Sequence, residues 1–138
     1  MSAADTESVI ARALTAFKAG DIDGVAACLA EDVAVDLPGT PREIGLDKAR
    51  WRLADLSRFL RAEAMDIAIM TDRGGVRAAL EFTLSGTYLA TLPGFPEARG
   101  QTFRLPAGLF LDIDDEDLIS RVTICCDPAR LSASLQEE

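Results

Sequence analysis

The spacing of hydrophobic positions changes period once along this chain. Over residues 5–19, Val9, Ala13, Leu14 and Phe17 recur at helical spacing, which predicts an amphipathic helix. Asp5 is placed to cap its start and Gly20 its end. Asp21 is placed to cap a short second helix with Val25, Cys28 and Leu29 on its apolar side. Residues 33–37 alternate as a strand and stop at Pro38-Gly39. A third helix is predicted from about Asp47 to Ala62, because Leu46, Ala49, Leu53, Leu56 and Leu60 draw one apolar stripe.

Beyond that helix the period falls to two. Residues 65–70 predict a short strand, and Asp72-Arg73-Gly74-Gly75 a turn. Residues 76–88 predict a long strand with Leu80, Phe82, Leu84 and Tyr88 on one face and Glu81, Thr83, Ser85 and Thr87 on the other. The loop Leu92-Pro93-Gly94-Phe95-Pro96 separates it from a second long strand over 102–113. There Phe103, Leu105, Ala107, Leu109, Leu111 and Ile113 share a face. An acidic turn at 114–117 leads into a last strand over 118–126. Helices first and hairpin strands afterwards predict an α+β fold, with helices packed on one face of an antiparallel sheet. No linker, repeat or low-complexity stretch interrupts it, so residues 1–138 read as one domain.

Composition narrows the chemistry. The 138 residues are 49% hydrophobic and 27% charged, as in an ordinary globular domain. The net charge of −9 argues against a nucleic-acid partner, which requires a basic surface. No apolar run approaches the ~20 residues of a membrane span, and the N-terminus lacks the basic and apolar regions of an export signal, so a cytoplasmic location is expected. There is no histidine, which removes histidine-dependent triads, proton shuttles and metal ligands. Any acid or base must be Asp, Glu, Tyr, Cys or Lys with a pKa set by its surroundings. Cys28, Cys125 and Cys126 form an odd set and imply no disulfide framework; they read as small buried apolar residues. The acidic run Asp112, Asp114, Asp115, Glu116 and Asp117 lacks the glycine and the distal glutamate of a calcium loop, with Thr123 in the glutamate's place, so it reads as a charged hairpin turn. No metal and no cofactor is expected.

Three stretches carry a family resemblance. They are Ala19-Gly20-Asp21-Ile22-Asp23-Gly24-Val25 continuing into Leu29-Ala30-Glu31-Asp32-Val33, then Leu92-Pro93-Gly94-Phe95-Pro96 with Gly100-Gln101-Thr102-Phe103, and finally Ile119-Ser120-Arg121 with Asp127-Pro128-Ala129-Arg130-Leu131. Together with the order of elements, they resemble the nuclear transport factor 2-like superfamily. That group includes ketosteroid isomerases, limonene epoxide hydrolases and SnoaL-like polyketide cyclases. The resemblance implies a cone-shaped fold, with three N-terminal helices on a strongly curved, mixed but mainly antiparallel sheet.

The resemblance does not carry an active site with it. The isomerase base position, just before the proline that ends the first strand, falls on Leu37, with Asp36 one residue away on the opposite strand face. Its oxyanion-hole tyrosine falls on Ala13 and the partner acid on Leu109; the epoxide hydrolase base falls near Ile124. A histidine that the SnoaL-like cyclases place near Leu109 has no counterpart.

An apolar interior is therefore expected, lined by Phe17, Leu37, Leu56, Leu60, Phe82, Leu84, Leu109, Val122, Ile124 and Cys126. These residues either fill a core or line a pocket for a small hydrophobic molecule. Tyr88 is a candidate for the pocket mouth or for plain packing. Trp51 lies opposite the leucine stripe and is a candidate lid or interface residue; alternatively the 38–44 loop covers it, or it stacks on Arg58. Lys48, Arg50, Arg52, Arg58 and Arg61 give the third helix a basic face. Glu81 and Arg104 are expected to pair across the outer sheet face, which Phe110 interrupts, and a homodimer through that face is expected. Two readings stay open: a hydrophobic-ligand binder without the usual catalytic residues, or a cyclase- or isomerase-type enzyme using Asp36. A non-catalytic dimerisation module is a third.

Overall fold

The alternation of the second half of the chain produces long strands, and these organise everything else. The computed structural model describes residues 3–137. In chain order the elements are α1 (Ala3–Lys18), α2 (Ile22–Ala26), β1 (Leu29–Asp36), β2 (Glu43–Ile44), α3 (Leu46–Phe59), β3 (Leu60–Thr71), β4 (Arg77–Tyr88), β5 (Thr102–Ile113), β6 (Ile119–Cys125) and α4 (Pro128–Gln136). The strands form one open, curved sheet in the order β2-β1-β6-β5-β4-β3. β1 and β6 run parallel and every other neighbouring pair antiparallel. The α+β architecture with a mixed, mainly antiparallel sheet is the one expected.

The α1–α2 corner follows from local chemistry. Gly20 takes φ 72°, a left-handed conformation that closes α1 without a Cβ clash. The Asp21 carboxylate then accepts the Gly24 N–H at 2.9 Å and starts α2.

In small differences from expectation, α2 ends at Ala26, short of Cys28 and Leu29, β1 begins at Leu29 rather than Val33, and the two-residue β2 is added. Two further differences are larger. α3 ends at Phe59 rather than near Ala62, and β3 begins at once, so that it is twelve residues long instead of starting at Met65. Arg61, Ala62, Glu63 and Ala64 are good helix formers, yet β4 offers each a ladder partner, from Thr87 to Leu84. Tertiary pairing outweighs propensity there. The second difference is α4, a fourth helix beyond the three expected. Its local signals are ordinary: Asp127 accepts the Ala129 N–H at 2.9 Å, and Pro128 occupies the first turn.

α4 has a definite structural task. β6 pairs with β5 only from Gly108 to Ile113, leaving the first half of β5 without a neighbour on that side. α4 covers this edge: Ser134 Oγ accepts the Arg104 N–H at 2.9 Å, and Gln101 Nε2 donates to the Leu135 carbonyl at 3.1 Å. Leu131 and Leu135 pack with Tyr88, Phe103 and Leu105 into one core. At the other end, Val9 and Ile10 of α1 pack with Ala78, Leu80, Leu111 and Ile113 into a second.

Curvature comes from irregularities at defined places. A bulge between Met65 and Ala68 puts Asp66 at φ 54° and bends the β3 edge. At Gly86 the β3 backbone comes so close that an added Cβ would lie 1.9 Å from the Arg61 carbonyl oxygen. No side chain can move aside to relieve a clash with backbone. Gly86→Ala is therefore expected to destabilise the fold by roughly 2–3 kcal/mol, read as a lower urea midpoint, whereas Gly74→Ala, whose Cβ would meet only the Val76 side chain at 3.7 Å, should cost less.

Candidate functional site: the apolar interior of the cone

Cross-strand partners share a face of a sheet, so the ladder assigns every strand residue to the inside or the outside. Leu80, Leu109 and Ile124 lie in one row, and Ala78, Leu111, Val122 and Val35 in the next. Phe82 pairs with Ala107, and Leu84 with Leu105. This is the face on which α1 packs, so the period-two face read from the sequence is the inner one.

The interior is packed unevenly. Its ends are closed by the two cores, whereas Val35, Leu37, Leu84, Ala107, Leu109, Val122 and Ile124 remain only half-buried. Phe17 of α1 and Leu53 and Leu56 of α3 are half-buried as well. α3 has no fully buried residue: its leucine stripe stands towards the sheet without being sealed by it. Leu60 and Cys126 border the α4-side core, and burial pushes the Cys126 thiol pKa up. Two surface concavities lie outside the cone. One, of about 580 Å³, runs along α1 and α2 past Ala11, Thr15 and Gly24, and the other, of about 420 Å³, lies by Asp5, Gly74 and Asp115.

Three expected site residues are elsewhere. Tyr88 is 0% exposed, and its hydroxyl donates to the Pro96 carbonyl at 2.8 Å while accepting the Leu92 N–H at 2.7 Å. It pins the 92–96 loop and leaves nothing for a ligand. Phe82 is a buried member of the α1-side core and lines no opening. Trp51 is 61% exposed on the outer side of α3, with the Arg52 guanidinium 5.4 Å from its ring centroid. Neither the 38–44 loop nor Arg58 accounts for it; Arg58 lies over Phe59 instead, at 5.3 Å. The basic face of α3 is largely neutralised locally, by Arg50–Asp23, Arg52–Glu43 and Arg58–Asp55 pairs.

Asp36, the one candidate base, faces outwards. It is the ladder partner of Thr123, which is in turn the partner of the exposed Phe110. The β1 irregularity lies between Leu29 and Ala34 and does not turn Asp36 inwards. Arg42 grips the carboxylate at 2.7 and 2.9 Å, and Thr123 Oγ1 donates to it at 2.6 Å. These bonds hold its pKa down to about 2. A proton-abstracting carboxylate in an apolar site needs the opposite shift. The network continues outwards: Arg121 donates to Thr123 at 2.7 Å and clasps Asp112 at 2.9 and 3.0 Å, holding that carboxyl below its usual range. Arg77 lies 3.6 Å from the same carboxylate. Arg104 faces Ser85 rather than Glu81, whose partner is Gly108; Arg104 pairs instead with Asp66 at 3.8 Å.

The two faces of the sheet define a cone with a mainly apolar interior and most of its charges outside, the Glu43–Arg52 pair at the β2 edge being the exception. A family model described as the SnoaL-like domain matches residues 10–122, and the chain belongs to that family. Among solved structures, the chain is 40% identical to a candidate polyketide cyclase from Silicibacter sp. TM1040, covering 96% of each chain at a TM-score of 0.89. It is 35% identical to one from Xanthomonas campestris pv. campestris, covering 96% of this chain and 97% of that one at 0.91, and 36% identical to one from Pseudomonas putida KT2440, covering 98% of each at 0.89. No curated protein matches the chain.

Asp36 supplies a test of the outer network. A carboxylate whose folded pKa is lowered stabilises the fold above its ordinary pKa of 3.8, and that contribution fades as pH falls towards 2. Asp36→Asn should therefore be less stable than the native chain at neutral pH, with the gap in urea midpoint closing between about pH 4 and pH 2. Parallel midpoint curves across that range would show the ion pair to be energetically silent.

Proposed function

We propose that this chain binds a small hydrophobic molecule inside the cone, between α3 and the inner sheet face. One observation carries the reading: Leu37, Leu56, Leu84, Leu109 and Ile124 stay half-buried in the middle of an apolar face whose two ends are sealed. Apolar surface left wet forgoes about 25 cal/mol per Å². A hydrophobic ligand would recover that energy on binding. The relatives named as candidate polyketide cyclases support a small-molecule site of this general kind. Cyclase- or isomerase-type proton transfer is the weaker alternative, because Asp36 is an outward-facing, arginine-bound anion.

N-phenyl-1-naphthylamine, whose fluorescence rises in apolar surroundings, is the probe. It should bind the native chain saturably at one site. Leu109→Arg, which puts a charge on the inner face, should weaken binding roughly tenfold or more, the equivalent of losing one apolar contact. Arg104→Ala on the outer face should leave it unchanged. Absence of saturable binding by the native chain would overturn the proposal.

A second reading concerns the outer face and favours self-association. Phe110 is 47% exposed, and Met70, two strands away in the same row, is 50% exposed. Ile44 is 51% exposed on the face of the Asp36–Arg121–Asp112 network. Apolar groups set among fixed charges suit a second copy of this chain, and we propose a homodimer through this face. Light scattering coupled to size-exclusion should give twice the 14.8 kDa chain mass. Phe110→Asp should shift it to the monomer with unchanged circular dichroism.

A further inference from the structure

We infer that the ligand of the cone is an uncharged, hydrocarbon-like molecule whose buried part carries no hydrogen-bonding group; the inference rests on the binding reading above and narrows it to a ligand class. Small-molecule sites ordinarily set a few convergent polar groups among apolar ones, and those groups fix orientation and select the ligand. The inward positions of this sheet supply none that is free. The ladder makes them alanine, valine, leucine, isoleucine and phenylalanine, apart from Gly86, Tyr88, Thr71 and, at the β2 edge, Glu43, whose carboxylate accepts from the Arg52 guanidinium of α3 at 2.8 and 3.1 Å. Thr71 pairs with Ala78 at the end sealed by α1, away from the half-buried middle. The Tyr88 hydroxyl is doubly engaged by the 92–96 loop.

The polar side chains that border the interior are also committed within the chain. Ser57 of α3 donates to the Leu53 carbonyl at 2.8 Å, and Ser120 of β6 to the Asp112 carbonyl at 3.3 Å. Gln101 donates to two carbonyls. Among the described residues, no buried side-chain nitrogen or oxygen lacks a partner. Glu43 apart, which Arg52 holds, the charged side chains of the paired strands lie on the outer face, among them the Asp36–Arg121–Asp112 network. Nothing inside therefore replaces the water that a hydroxyl, carbonyl or carboxylate would surrender on entering. A site built to hydrogen-bond its ligand discriminates against analogues lacking the polar group; this interior should discriminate in the reverse direction. Densely oxygenated molecules are disfavoured on that ground, and compact hydrocarbon skeletons are favoured.

Three molecules of nearly one shape test this: biphenyl, 4-phenylphenol and biphenyl-4-carboxylate, each used to displace N-phenyl-1-naphthylamine from the full chain. Biphenyl should displace it most tightly, 4-phenylphenol roughly tenfold more weakly, and the carboxylate not at all over the same range. Equal or tighter displacement by the phenol or the carboxylate would reveal a polar partner inside the cone and overturn the inference while leaving the pocket standing. Failure of the fluorescent probe itself to bind would instead remove the pocket, and the ligand class with it.

Discussion

Cross-strand pairing fixes which way every side chain of this sheet points, and a shift of one residue would exchange inside for outside. Residues opposed across a ladder must share a face. Through the rows Ile69–Leu80–Leu109–Ile124 and Ala78–Leu111–Val122–Val35, that constraint gathers the apolar residues of five strands on the helix side. The same constraint drives Asp36, Arg121, Asp112 and Arg77 to the other side, where they satisfy one another. The parity of Asp36 and Leu37 alone separates a carboxylate in the cone from a leucine in it.

The helices complete what the sheet begins. α1 closes one end with Val9 and Ile10, and α4 closes the other with Leu131 and Leu135. α3 lies over the remaining opening without sealing it, and its leucine stripe is left half-buried. A two-layer domain with both layers fully packed would bury that stripe. The half-open middle is thus a property of how α3 stands relative to β1 and β3, with its first residues held through β2 and the Gly45 N–H bond to the Val33 carbonyl at 2.9 Å.

Much of the fold was legible in the residues because its signals are local. The Asp21 cap, the stop at Pro38-Gly39, the leucine stripe of α3 and the alternation of β4 and β5 each act over a few neighbours. The misreadings share a cause. Residues 60–64 look helical in isolation and become strand because β4 is long enough to pair with them. α4 carried a legible Asp127-Pro128 start, yet its purpose, covering the unpaired half of β5, exists only once β6 is seen to end early. For Tyr88, alternation marks the face but not the Pro96 carbonyl and Leu92 N–H that meet its hydroxyl.

The sequence by itself determined the fold class, the inward and outward faces of the long strands, and the loss of histidine-based chemistry, because composition and period are carried by each residue and its nearest neighbours. Only the tertiary structure decided which inward residues stay half-open, that Asp36 is an anion clasped by Arg42 and Thr123, and that the polar groups around the interior are already taken. Those properties depend on contacts between residues far apart in the chain: Asp36 meets Thr123 across 87 positions, a distance over which local pattern carries no information.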